Sequence, residues 1–300
     1  MNRIHTLVGP LCAALMAGAV AGAPIAASGS VDDTQQKTSA TTDDAANRGP
    51  HCWGSVLWSS NGKLKERVWK VSPKNRWRAY DRNTSRKKLG IVPRAFVFGG
   101  AGGGSDVQIS TEYLISKRRA VVRVDTKTYN KRDVIRFTKK RVGRLKGKAR
   151  PMSGMLDLYL VGKGGRVTYA PDIAKPNKRV RVRGLRLRNY RFGSVAYVGT
   201  KKFGPVNVMY VVRGSKLVRV VLKGRKVVRA PRVVSRSGWR NAKGVAARVC
   251  IDSTRLSVVR IGNNRKARGF LQRRVMAKRP AKLGKGVKLA GRYPGRGFGS

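Results

Sequence analysis

The chain has 300 residues with 68 Lys and Arg against 13 Asp and Glu, a formal net charge of +55, and 41% hydrophobic residues. That apolar content is enough for a core and excludes a chain disordered from end to end. Four acids (Asp32, Asp33, Asp43 and Asp44) precede residue 51 beside only Arg3, Lys37 and Arg48, so the cationic charge belongs to the body and not to an appended arm.

The first element, residues 1–27, reads as a signal peptide. Arg3 precedes the run "LCAALMAGAVAGAPIAAS", and small residues at Ala21, Ala23, Ala26 and Ala27 offer A-x-A-like cleavage sites. Pro10 and Pro24 interrupt the run, which argues against a membrane-spanning helix, and no stable span is expected after cleavage. Cleavage removes Cys12 and leaves Cys52 and Cys250, most simply a disulfide in an exported chain. Together with His51 they do not make a zinc site, and no metal or cofactor is expected. Residues 28–50, rich in Ser, Thr, Asp and Gln, are expected to be a disordered spacer.

Residues 51–263 form the expected β domain. Short runs of Val, Leu, Ile, Tyr and Trp are broken by Gly, Asn and Pro about every 8–12 residues. The clearest hairpin is "SVLWSSNGKLKERVW", centred on Asn61-Gly62, the pair that a type I′ turn prefers. Similar units are "TEYLISKRRAVVRV", "LDLYLVGKGGRVTY", "VNVMYVVRGSKLVRV" and "AARVCIDSTRLSVVRI". Their turns, at Gly62, Arg118, Gly164, Gly214 and Ser253, recur about every 48 residues, the length of a four-stranded propeller blade. The fold class is therefore all-β: a propeller-like array of about five repeats, with a β-sandwich as the alternative. A Cys52–Cys250 bridge would clasp the first repeat to the last.

The phrase "LDLYLVGKGGRVTY" resembles the strand–turn–strand core of secreted β-propellers of the tachylectin-like and integrin-type repeat group. The resemblance implies a binding scaffold. It brings no calcium loop, because the Asp-x-Asn/Asp-x-Asp-Gly pattern is absent from this sequence.

Within the β domain, "RVRVRGLRLRNYRF" at 179–192 places Arg179, Arg181 and Arg183 on one face of a strand and Val180 and Val182 on the other. At Gly184-Leu185 the phase slips, which predicts a bulge before Arg186 and Arg188. These five arginines are the candidate polyanion-binding comb, with an ordinary solvent-facing row as the competing reading. "FVFGGAGGGSD" lacks the Gly-Lys-Ser/Thr ending of a nucleotide loop. Trp69, Trp77 and Tyr80 lie among lysines and arginines, an arrangement that suits stacking but is better explained by packing near Cys52. No carboxylate pair or His-bearing triad is legible, so no catalytic residue is assigned. Asp106 and Asp157 are the acids to inspect, with pKa values expected to fall among so many cations. Residues 264–300, rich in Gly, Arg, Lys and Pro, are expected to be a disordered basic tail.

These readings converge on a protein secreted to the extracellular space or cell surface. It binds anionic polymers without catalysis: cell-wall polymer, acidic polysaccharide or, nonspecifically, nucleic acid. The alternatives are a carbohydrate-binding lectin whose charge is incidental and a secreted hydrolase.

Overall fold

The computed structural model describes residues 52–103, 107–129, 134–250 and 254–299. The expected signal peptide and spacer, and Asp106, lie outside the described residues. Among the described residues no helix is long and apolar enough to cross a membrane.

The strands fall into five consecutive groups. The first contains β1 (Cys52–Ser60), β2 (Lys63–Val71) and β3 (Trp77–Lys88), and the second β4 (Pro93–Gly103), β5 (Val107–Ser116), β6 (Ala120–Tyr129) and β7 (Val134–Arg144). The third holds β8 (Arg150–Pro151), β9 (Gly154–Met155), β10 (Leu158–Val161), β11 (Arg166–Ala170) and β12 (Val180–Arg186). The fourth runs β13 (Tyr190–Thr200), β14 (Gly204–Arg213), β15 (Lys216–Lys223) and β16 (Lys226–Ser235). The fifth runs β17 (Ala242–Val249), β18 (Leu256–Gly262), β19 (Ala267–Gln272) and β20 (Val287–Leu289), and the chain then returns as β21 (Arg296–Gly299). β21 pairs antiparallel with β1 and becomes the inner strand of the first blade, in the order β21-β1-β2-β3; β3 also pairs parallel with β7, so the first two blades share one nine-stranded sheet that runs on through β6, β5 and β4 to β9.

The inner strands form a closed ring. Gly299 of β21 lies so close to Phe96 of β4 that a Cβ there would stand 2.6 Å from Phe96 Cβ. β4 pairs parallel with β9, Ser153 bridges Ser194 of β13, and the Ser194 hydroxyl accepts the Ala247 N–H of β17. Gly244 of β17 then lies against the ring of Phe298, which completes the circuit. Ser153 is the central pin. Buried at the break between β8 and β9, its hydroxyl accepts from Phe96 N–H at 3.3 Å and donates to Phe298 C=O at 2.6 Å. The described residues form a five-bladed propeller, and the sandwich alternative does not produce this ring.

A repeated latch joins each blade to the linker that leaves it. The N–H groups of Leu89, Leu145, Leu187, Trp239 and Tyr293 donate to the carbonyls of Gly62, Arg119, Gly165, Ser215 and Arg265. Each carbonyl sits in the turn between a blade's second and third strands, and each donor residue is buried. At Gly165 (φ 77°) an added Cβ would stand 2.5 Å from the Leu187 carbonyl carbon, so only glycine lets this linker approach.

The Cys52–Cys250 disulfide is present and links blade 1 to blade 5. Trp77 lies beside it, over Gly54 of β1 and Gly269 of β19, and Trp69 is buried in the same seam. These tryptophans are packing residues. Tyr80, by contrast, is exposed, with Lys70 Nζ 4.7 Å from its ring centroid.

Two expectations need correction. The basic tail from 264 is not a disordered appendage in the structure. It supplies β19, β20 and the closing strand β21, and Phe270, Leu271, Leu289, Tyr293 and Phe298 are buried in the core. The fifth repeat unit was also placed one strand early. Ser253 lies outside the described residues, and the turn equivalent to the other four carries Arg265, between β18 and β19.

Candidate functional site

The face bearing the latches holds the strongest candidate. Its turns and outgoing linkers carry many lysines and arginines and, among the described residues, no Asp or Glu. Asp157 and Asp172 lie at the other end of blade 3, beyond the start of β10 and the end of β11.

On blade 1 a cleft of about 290 Å³ opens between β1–β3 and the linker 290–294. Trp58 and Tyr293 stand in edge-to-face contact there, with ring centroids 5.2 Å apart. Lys65, Arg67, Arg82 and Arg292 bring positive charge, and Glu66 is the acid on the wall. Three buried polar atoms of residues lining the cleft make no hydrogen bond within the protein: Trp58 Nε1, Arg67 Nε and Asn83 Oδ1. Buried polar groups are normally paired, and leaving one unpaired costs about 1–3 kcal/mol. By strand alternation Trp58 and Arg67 lie on one face of the sheet, and Asn83 with Glu66 on the other.

Behind the cleft is a carboxylate network that the sequence did not reveal. Asn83 Nδ2 donates to Asp81 at 2.8 Å and to Glu66 at 3.3 Å. Burial raises the Glu66 pKa, opposed by the positive charge of Arg248. Glu112 is buried on β5, where Ser110 donates to it at 3.0 Å. Burial, reinforced by the negative charge of Glu66, pushes its carboxyl up to about 8. Asp157 is likewise raised by burial, although Asn207 and Tyr169 donate to it. The expectation that Asp157 would titrate low fails because burial outweighs distant surface cations. Among the described residues no group of three or more His, Cys, Asp or Glu is placed to hold a metal ion.

A second cleft, about 570 Å³, lies on blade 3. It is lined by Lys148, Arg150, Lys163 and Arg188 around the Gly162–Gly165 turn and has no carboxylate on its wall.

The structure divides the five comb arginines. Arg181, Arg183 and Arg186 are exposed on β12, the outer edge strand of blade 3, with Val182 and Leu185 buried opposite. The predicted slip is present: the register shifts between Arg166↔Arg186 and Thr168↔Arg181, with Gly184 at φ 70°. Arg179 is tied down by donating to the Lys146 carbonyl at 3.1 Å. Of the five, Arg188 lines the blade 3 cleft.

With few acids to pair, guanidinium groups turn to backbone carbonyls. Arg119 donates to Gly147, Arg213 to Arg188, Arg229 to Met276, and Arg191 to the linker carbonyls of Trp239, Arg240 and Ala242. An ion pair is present at Arg123–Asp125, 2.9 Å. Arginine suits this role because five N–H donors spread over a rigid plane can reach several carbonyls at once.

No protein-family model matches the chain, and no curated protein matches it. Among solved structures it is similar to a triple mutant of AofleA from Arthrobotrys oligospora, with TM-score 0.45, 10% identity, and 80% of this chain and 72% of that one covered. It is also similar to a mutant Aleuria aurantia lectin in complex with alpha-methyl-L-fucoside, with TM-score 0.39, 13% identity, and 79% and 78% covered. A third is the WD40 domain of SCAP from fission yeast, with TM-score 0.30, 7% identity, and 73% and 52% covered. The propeller assignment stands on strand order and ring closure.

Proposed function

We propose that this protein is an exported, non-catalytic glycan-binding propeller that takes a residue of an acidic polysaccharide in the blade 1 cleft. The observation that carries this reading is the lining of that cleft, where Lys65, Arg67, Arg82 and Arg292 surround a concave site of about 290 Å³. A sugar ring presents hydroxyls that both donate and accept, which the polar lining of a concave site can meet. Lys65, Arg67, Arg82 and Arg292 favour a ring that carries a carboxylate or sulfate. The sequence supports export through the signal-like residues 1–27.

A glycan array that pairs neutral sugars with their uronic-acid and sulfated counterparts, read at low and high salt, tests this. Retention of acidic sugars that fades with salt is the expected result. Equal retention of neutral sugars would make the charge incidental, and no retention of any sugar would overturn the reading.

One observation favours a hydrolase instead. Burial and the negative charge of Glu66 push the Glu112 carboxyl up to about 8, the direction a general acid needs. Glu112 is buried and does not line the cleft, which favours a structural role. Release of reducing ends from a bound acidic oligosaccharide, abolished by Glu112→Gln, would establish hydrolysis.

A further inference from the structure

The blade 3 cleft lies on the same latch face as the blade 1 cleft but has a different chemistry. Its charged lining is entirely cationic: Lys148, Arg150, Lys163 and Arg188. Its floor is a bare backbone turn. Gly164 lies at φ 69°, and an added Cβ there would find nothing within 4 Å. Lys148, Lys163 and Arg188 are exposed, while Arg150 donates at 3.3 Å to the Tyr190 carbonyl. Each element supplies charge from a different part of the chain: the incoming linker Lys148, the turn Lys163 and the outgoing linker Arg188. The Leu187-to-Gly165 latch, 2.7 Å long, holds turn and outgoing linker together. The arrangement recurs in a reduced form on blade 5. There the start of β17, the β18–β19 turn and the outgoing linker enclose a cleft with Lys243 and Arg265.

We infer that the blade 3 cleft is a second binding site, for a carboxylate, sulfate or phosphate group projecting from the same acidic polysaccharide held at blade 1. The latch face then grips one chain at two points. This inference rests on the glycan reading above. Cations on three converging segments give an anion more donors than any one segment does, and the absence of a carboxylate removes the internal competitor. A concave site favours a group that projects from a chain over a flat bilayer. Val92 is the exposed large apolar side chain on the linkers of this face, too little for insertion into lipid. Polynucleotides are disfavoured because Trp58, Trp239, Tyr190 and Tyr293 are buried and offer no open stacking platform.

The test compares two variants of equal charge. One carries Lys148→Gln, Lys163→Gln and Arg188→Gln. The other carries Lys201→Gln, Arg225→Gln and Lys226→Gln, which change the β13–β14 and β15–β16 turns at the opposite end of blade 4. Binding is measured by calorimetry over a ladder of oligogalacturonides from short to long. Two-point attachment raises effective concentration, so in the wild type affinity steps up by about a hundredfold at the length that reaches both clefts. The first variant loses that step and keeps its affinity for short oligomers, whereas the second keeps both. Equal losses in the two variants would reduce the effect to net charge and overturn the inference. Normal short-oligomer binding without any step would overturn it while leaving the glycan reading intact. Failure of short oligomers, with tight binding of anionic lipid vesicles or single-stranded DNA, would overturn both.

Discussion

The clefts on blades 1 and 3 open on one face yet present opposite inventories. Blade 1 offers cations with one carboxylate among them, beside Asn83, Thr84 and the buried Trp58–Tyr293 pair. Blade 3 offers donors and bare backbone alone. A site with donors and acceptors can tell one sugar from another, because a mismatched hydroxyl leaves a buried group unpaired. A site with donors alone recognises charge and little else. The difference assigns selectivity to blade 1 and reach to blade 3.

The comparison breaks most completely if the ring opens. The blade 1 cleft includes the linker to β21, while blade 3 is built without it. Replacing Cys52 and Cys250 by alanine is expected to cost on the order of 5 kcal/mol by the loop-entropy model. Denaturant melts should show this, with blade 1 binding lost before blade 3 binding. Two free thiols in protein purified from the medium would contradict the clasp.

The next largest effect should come from the selective site. Trp58→Phe keeps a ring against Tyr293 and removes the Nε1–H. Because that donor has no partner within the protein, the melting temperature should hold while affinity for short acidic oligomers falls about tenfold. Unchanged affinity would remove Trp58 from the site.

A smaller effect separates the comb arginines. Arg188→Gln is expected to weaken long-chain binding several-fold, more than Arg181→Gln, Arg183→Gln and Arg186→Gln each do, because Arg188 lines the blade 3 cleft. Equal losses would restore the comb.

The smallest effects concern buried charge. Glu112 titrates at about 8 in the fold against 4.5 ordinarily, so the folded state holds the extra proton between those values. Its contribution to stability is complete below about pH 4.5 and is lost as pH rises towards 8. Glu112→Gln should flatten that decline in urea melts taken across the window. Arg219 is fully buried, donates to the Ala277 carbonyl, and has its pKa drawn down to about 10 by burial. Arg219→Met is expected to be neutral or stabilising by about 1–4 kcal/mol, as for other buried charges replaced by apolar groups of similar size.

Much of the architecture was legible from local signals. Asn61 and Gly62 both take positive φ, as their turn demands, and Gly214 marks the equivalent turn on blade 4. The fifth blade was harder. "AARVCIDSTRLSVVRI" also reads as two apolar runs around a turn, whereas the true equivalent turn runs into the Gly- and Lys-rich segment that resembles a tail. The closing strand "RGFG" is too short to show a period, and its pairing is set by a ring that local pattern does not encode. One signal was available: Leu187-Arg188-Asn189 and Trp239-Arg240-Asn241 repeat a large apolar residue before Arg-Asn at the latch. The blade 1 cleft had none. Trp58, Asn83 and Tyr293 lie in separate segments, and only the closed ring brings them together.

The closing strand also has a consequence in time. Chain leaving a ribosome or an export channel presents β1 long before β21 arrives to pair with it. Until then β1 has an open edge, and open edges recruit other chains. A partly made propeller with few acids and dozens of cations repels its copies while it waits. Charge repulsion of this kind opposes edge-to-edge pairing before the ring is closed.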